Sequence, residues 1–147
     1  MTLRRISTLA LALVLTGGCA AAPTVTVESY RPIAGEKCSA VINSVPGELL
    51  TQGQREITAG PVSNYVAAWG DPIIVLQCGV TTPADATLMP EVITVNGIDW
   101  RYEELDGGTR FYSDSLQTVF RLDVPSTYDN PTDALADLSD ALQIAKN

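Results

Sequence analysis

Histidine is absent from the sequence, and its absence narrows the chemistry open to the chain. The usual near-neutral general base, the Ser-His-Asp triad, the Cys-His pair and histidine-dependent metal sites are all excluded. The chain has only two lysines, Lys37 and Lys146, and neither lies beside a recognisable serine motif. We therefore expect no catalytic residues, no metal and no cofactor, and we predict a protein that is not an enzyme. Hydrolysis by paired carboxylates is the enzymatic alternative.

Basic residues are also scarce. Nine lysines and arginines stand against 17 aspartates and glutamates, which gives a net charge of −8. An acidic surface repels phosphate backbones, so we expect no nucleic-acid partner. The acidic residues are spread along the chain, as is typical of a surface that keeps a protein soluble. The 147 residues suffice for one domain with a hydrophobic core.

The chain lacks an apolar run of the roughly 20 residues that a stable transmembrane helix needs. A shorter apolar segment, from Ile6 to Leu15, follows Arg4 and Arg5. Small residues come next and lead to Cys19. This order of a basic start, a short apolar segment and small residues predicts a secretory signal peptide over residues 1–18.

The cysteine at the end of this segment carries a second signal. The run "LTGGC" resembles a bacterial lipobox, in which cleavage makes the cysteine the new N-terminus and its sulfur is diacylated. We therefore predict that Cys19 is lipidated and that residues 19–29 form a lipidated N-terminus and tether. Because two acyl chains hold a protein stably on a membrane, we also predict that the protein is anchored at the outer face of the cytoplasmic membrane. Ordinary cleavage and release is the alternative.

Only three cysteines are present, an odd number that needs an explanation in an exported protein. If the lipid consumes Cys19, then Cys38 and Cys78 remain as an even pair in an oxidising compartment. We predict that they form a disulfide. A redox-active pair, a nucleophile or a metal ligand are the other interpretations of Cys78, which ends the apolar run "IIVLQC".

Short alternating runs separated by turn signals predict strands for most of the chain. The clearest signal is Asn96-Gly97 between "EVITV" and "IDWRYEEL", which is typical of a tight hairpin. We also predict strands over "TVTVESY", "VSNYVAAW" and "IIVLQCGV", with Gly70-Asp71-Pro72 as the turn between the last two.

Two helices complete the predicted architecture. The first spans about Glu36 to Ser44, and the second follows Asn130, which can cap it, with Pro131 at its first position. The fold class is α+β: residues 30–147 form a single domain, a mostly antiparallel sheet with a short N-terminal helix and a C-terminal amphipathic helix packed on one face.

The combination of "AAWGDPIIVLQCGV" with "VNGIDW" about 20 residues later resembles a group of actinobacterial exported lipoproteins, domain of unknown function 3515. The resemblance extends from about Cys38 through "VPGEL" to "FRLDVP" and the final helix. It implies a small envelope lipoprotein facing outward from the cytoplasmic membrane, and it implies no particular activity.

A weak candidate for a binding site comes from the aromatic residues. We consider a ligand patch made of Trp69, Asp71, Trp100 and Tyr102, which would hold a small cell-envelope ligand; core packing of the rings is the simpler interpretation. Our leading hypothesis is a lipid-anchored interaction or accessory module with an envelope protein as its partner, and a ligand-binding protein is the alternative. The sequence predicts no oligomeric state.

Overall fold

The computed structural model describes residues 24–27, 30–33, 35–58, 60–83 and 91–147. The predicted signal peptide and Cys19 lie outside these residues. In chain order the strands and helices are β1 (Val25–Thr26), α1 (Glu36–Ile42), β2 (Glu48–Leu49), β3 (Gln52–Gly53), β4 (Ile57–Thr58), a 3₁₀ helix (Gly60–Tyr65), β5 (Val66–Trp69), β6 (Ile74–Cys78), β7 (Val92–Val95), β8 (Ile98–Leu105), β9 (Gly108–Ser113), β10 (Phe120–Pro125) and α2 (Asp133–Lys146).

A six-stranded antiparallel sheet forms the centre of the fold, in the order β5-β6-β10-β9-β8-β7. The last strand in sequence, β10, therefore lies between β6 and β9. Two small sheets accompany it: β1 pairs with β4 in parallel, and β2 pairs with β3. The predicted mixed architecture with a mainly antiparallel sheet and a C-terminal helix is confirmed.

The hairpin predicted at Asn96-Gly97 is present and joins β7 to β8. Val95 pairs with Ile98, so the two residues between them form the whole loop. Both have positive φ, 49° for Asn96 and 77° for Gly97. A type I′ turn requires this combination, which explains why the dipeptide is such a reliable signal.

One face of the sheet carries the main hydrophobic core. Along β10 the side chains of Phe120, Leu122 and Val124 are buried, whereas Arg121 and Asp123 point to the other face and are partly exposed. The buried face contacts both helices: Cys38, Val41 and Ile42 of α1 and Leu135, Leu138 and Leu142 of α2 belong to the same core cluster as the sheet residues.

The residues that the structure describes cover the opposite face only near β5 and β6. A small second cluster contains Val25, Val27, Val62, Val66 and Val75. The parallel pair of β1 with β4 and the 3₁₀ helix thus lie over one end of the sheet. Among the described ranges, no helix is long and apolar enough to cross a bilayer.

Three local predictions were wrong in detail. The strand predicted over "VSNYVAAW" begins only at Val66, because Gly60 (φ 53°) and Pro61 start a 3₁₀ turn instead. The strand predicted over "TVTVESY" is reduced to β1, and residues 28 and 29 lie outside the described ranges. The first helix is present but ends at Ile42, two residues before the predicted Ser44.

The start of α2 also differs from the prediction. Asn130 has a left-handed φ of 51°, whereas a capping residue normally has extended backbone. Thr132 is the N-cap residue, and its side chain makes no capping hydrogen bond. Backbone carbonyl oxygens accept hydrogen bonds at the helix start in place of a capping side chain. The N–H groups of Asp133 and Ala134 donate to the carbonyl oxygens of Asn130 (2.9 Å) and Pro131 (3.3 Å), respectively.

Candidate functional site

The predicted pair of cysteines forms a disulfide. Cys38 of α1 and Cys78 at the end of β6 have Cα atoms 5.6 Å apart and are fully buried. The bond fixes the first helix to the sheet and leaves neither sulfur as a free thiol. The disulfide prediction is confirmed, and with both thiols joined Cys78 is not available as a nucleophile or a metal ligand.

The four residues proposed as a ligand patch do not come together. Trp69 lies on β5 and Trp100 on β8, which are four strand spacings apart, or about 19 Å. Both tryptophans are fully buried, and the indole N–H of Trp69 donates to the carbonyl of Pro46 (2.9 Å). Asp71 is exposed in the turn after β5. The two indole rings therefore contribute to the core.

Tyr102, the fourth residue of that patch, lines a cavity of about 300 Å³. The cavity lies between the start of α2 and the β8–β9 hairpin, and an adjoining cavity of about 280 Å³ shares four of its lining residues. We call the two together the helix-end groove. Its principal lining residues are Ile93, Tyr102, Glu104, Thr109, Phe111 and Pro131.

The floor of the helix-end groove is aromatic. The rings of Tyr102 and Phe111, on neighbouring strands, have centroids 5.9 Å apart at an interplanar angle of 41°. The Tyr102 hydroxyl donates to a carboxylate oxygen of Glu91, just before β7. This hydrogen bond raises the pKa of Tyr102, because ionisation would place two negative charges side by side.

Carboxylates surround this floor. Glu104 and Asp129 line the groove, and Glu91 lies at its edge beside Tyr102. None of the described residues that line the two cavities is a lysine or an arginine. The helix-end groove therefore combines aromatic ring faces with negative charge, which suits a cationic group.

A different polar cluster occupies the face of the sheet that lacks the helices. Arg110 of β9 donates to both carboxylate oxygens of Asp123 on β10, at 2.6 and 3.2 Å. Glu103 lies 3.8 Å from the same guanidinium, and Arg121 lies 3.3 Å from Asp123. The hydrogen bond to Asp123 raises the pKa of Arg110 further above its ordinary value. Each arginine thus has an acidic partner, and we interpret the cluster as structural.

Tyr30 connects the N-terminal segment to the sheet. Its hydroxyl shares its proton between the carbonyl oxygens of Cys78 (2.8 Å) and Tyr65 (3.0 Å). Burial raises its pKa to about 12. The contact links the segment that follows the predicted tether directly to the disulfide-bonded end of β6.

The described part of the chain contains no group of three or more histidine, cysteine, aspartate or glutamate side chains arranged to hold a metal ion. The family model described as "Protein of unknown function (DUF3515)" matches residues 5–147. The chain belongs to this DUF3515 family.

No curated protein and no solved structure matches this DUF3515 protein. Its helix-end groove was missed by the sequence prediction except for Tyr102. The one signal was the period of two along β8, which places Glu104 on the same face as Tyr102. Nothing in the sequence indicated that the start of α2 would close over them.

Proposed function

We propose that the chain is an exported lipoprotein, held by acyl groups on Cys19 at the outer face of the cytoplasmic membrane, and that it serves the cell envelope as a binding or accessory module. The disulfide between Cys38 and Cys78 carries this proposal. Disulfides persist outside the reducing cytosol, so a buried disulfide supports export. An actinobacterial origin, implied by the resemblance of the motifs, belongs to the same proposal.

The position of Cys19 gives the anchored protein a defined geometry. Val25, the first residue of β1, is the sixth residue after it. A chain of this length spans at most about 20 Å. A lipid on Cys19 would therefore keep the parallel β1–β4 pair close to the membrane surface, and the sheet would be presented to components of the envelope.

Binding is favoured over catalysis by the chemistry of the side chains. The chain has no histidine, and its two described cysteines are joined to each other. The helix-end groove offers aromatic rings and carboxylates, which bind a ligand without needing to activate one. We therefore infer a non-enzymatic role in which a partner, rather than a reaction, occupies the groove.

Membrane fractionation and intact mass measurement test the anchor. We expect the protein to be in the membrane fraction, to begin at residue 19 and to carry the mass of attached acyl chains. Cys19→Ala should lose this mass and appear in the soluble or secreted fraction. A Cys19→Ala protein that remains in the membrane fraction as fully as the native protein would contradict the lipid anchor.

Site-specific crosslinking in intact cells tests the binding role. A photoreactive amino acid is placed at Tyr102 in the helix-end groove, or at Asp140 on the exposed side of α2 as a control. We expect a discrete crosslinked envelope component at position 102 and none at 140. Identical products at both positions would indicate random neighbours and would remove the support for a binding module.

A further inference from the structure

Strand β7 lies at one edge of the main sheet, and its outer side has no pairing strand among the described residues. Asp99 of β8 pairs with Thr94 of β7, but its backbone groups are directed away from β7. The N–H of Asp99 donates to Ser115 Oγ, and the backbone carbonyl oxygen of Asp99 accepts from the N–H of Asp114. Thr94 and Asp99 are therefore a non-hydrogen-bonded pair. It follows that the N–H and C=O groups of Thr94, and of Val92 two residues earlier, point outward.

Within the described ranges, this edge has none of the usual protection against strand addition. The sequence of β7, "VITV", contains no charge and no proline. The apolar side chain of Val92 is 47% exposed. Natural sheets normally cover or charge such edges, so an open, β-branched edge is suited to pairing with another segment.

The helix-end groove lies directly beside this edge. Val92 pairs with Arg101, so Glu91 lies level with Tyr102, and the hydrogen bond between these two side chains confirms that alignment. Ile93 of β7 itself lines the groove. A strand added outside β7 would therefore run past the groove, with alternate side chains on the same face as Tyr102.

The charge of the groove selects the kind of side chain that enters it. Glu91, Glu104 and Asp129 surround the Tyr102 and Phe111 rings, and the chain as a whole has a net charge of −8. An ammonium or guanidinium group would be attracted by the carboxylates and by the ring faces together. An acidic or a purely apolar side chain would lack the attraction to the carboxylates and would therefore bind less favourably.

The geometry points to a docking site for an extended basic peptide segment. The segment pairs with the outward backbone groups of Val92 and Thr94, and one of its lysine or arginine side chains passes over Glu91 into the helix-end groove. This inference rests on the proposed function, because it names the class of partner that the binding module takes. A second copy of the chain is the other possible occupant of the edge, and it is an outcome of the test.

A synthetic octapeptide of alternating threonine and lysine is a suitable probe, and its threonine-glutamate counterpart is the control peptide. The full chain is purified in detergent, and its amide and ring signals are followed by NMR during titration. We expect the lysine peptide to shift the amides of Val92 and Thr94 and the rings of Tyr102 and Phe111. The glutamate peptide should leave all four unchanged.

Three variants separate the site from general attraction to an acidic protein. Thr94→Pro removes an outward N–H and keeps the backbone hydrogen bonds to β8, although it also removes the hydrogen bond from the Thr94 hydroxyl to the Asp99 carboxylate. Edge strands tolerate proline. Glu104→Lys reverses a charge in the groove, and Asp140→Lys makes the same change of charge on the exposed side of α2. We expect Thr94→Pro and Glu104→Lys each to weaken binding by about tenfold, and Asp140→Lys by less than about twofold.

Several outcomes would overturn the inference. Equal weakening by Glu104→Lys and Asp140→Lys would indicate nonspecific charge attraction, and full binding by Thr94→Pro would exclude strand addition. Concentration-dependent dimerisation through β7 without peptide would assign the edge to a second copy. All these measurements use the purified chain and do not depend on the membrane anchor. The peptide site can therefore be refuted while fractionation supports the anchor, and the anchor can be refuted while the peptide site is supported.

Discussion

The disulfide between Cys38 and Cys78 connects the first helix to the second strand of the main sheet, so that the two elements move as one unit. The bond closes a loop with a sequence separation of 40 residues. Closing such a loop lowers the entropy of the unfolded chain and stabilises the fold by roughly 4 kcal/mol in the chain-entropy treatment.

The first prediction concerns this bond. The double variant Cys38→Ala with Cys78→Ala should lower the free energy of unfolding by about 3–5 kcal/mol. Chemical denaturation followed by tryptophan fluorescence measures the change, and Cys19→Ala is the matched control because it removes a sulfur outside the loop. An unchanged denaturation midpoint in the double variant would show that the bond does not support the fold.

The second prediction concerns Tyr30 at alkaline pH. Burial raises its pKa from 10.0 to about 12, so the folded protein keeps a proton that the unfolded chain releases above pH 10. The stabilisation is fully present below pH 10 and is lost as the pH rises towards 12. Because the side chain is only half-buried, we expect a loss of about 1–2 kcal/mol rather than the full value.

Tyr30→Phe isolates this contribution from the other tyrosines, several of which also have raised pKa values. At pH 8 the variant should be less stable than the native protein, because it lacks the hydroxyl that donates to the carbonyl oxygens of Cys78 and Tyr65. The difference between the two proteins should shrink as the pH rises from 10 to 12. A constant difference across this range would mean that Tyr30 does not titrate with folding.

The third prediction compares two adjacent glycines in the β8–β9 hairpin. Gly108 has φ of 150°, and a Cβ atom there would lie 2.1 Å from the carbonyl oxygen of Val124. At Gly107 a Cβ atom would meet nothing within 4 Å. We expect Gly108→Ala to destabilise the fold by at least about 2 kcal/mol and Gly107→Ala to change it by less than about 0.5 kcal/mol. Thermal unfolding of both variants would show this contrast, and equal effects would contradict it.

The fourth prediction concerns the ion pair between Arg110 and Asp123. Its side chains are 29% and 30% exposed, and the pairing is bidentate. A double-mutant cycle with alanine at each position should give a coupling energy of about 1–2 kcal/mol. The same cycle for Arg101 and Asp114, whose side chains approach to 3.0 Å and are 24% and 39% exposed, should give less than about 1 kcal/mol. Similar coupling in both pairs would refute the distinction.

Local sequence signals predicted much of the fold because turns and helices depend on the backbone preferences and spacing of residues that are close in sequence. The Asn96-Gly97 turn depends on two backbone dihedral angles, and the regular leucines of α2 depend on the helical repeat. The disulfide followed from counting cysteines in a chain that we predicted to be exported. By contrast, the 3₁₀ helix at Gly60–Tyr65 replaced a predicted strand, since its apolar residues do not distinguish the two structures.

The candidate site was harder to predict because it depends on strand order. Trp69 and Trp100 are far apart because β6, β10 and β9 lie between their strands. Short antiparallel runs carry no signal for such an insertion. The helix-end groove depends in addition on where α2 begins, and Asn130 shifted that start by its left-handed backbone.

The place of β10 between β6 and β9 has a consequence for how the protein is made. The earlier strands fall into two locally connected groups, β5–β6 and β7–β8–β9, and β10 is the strand that joins them. During synthesis the chain emerges from its N-terminus, so both disulfide cysteines are available while the sheet is still in two pieces. The continuous sheet forms only after residues 120–125 have been synthesised. A chain truncated before residue 120 would contain two separate hairpin units without a common core.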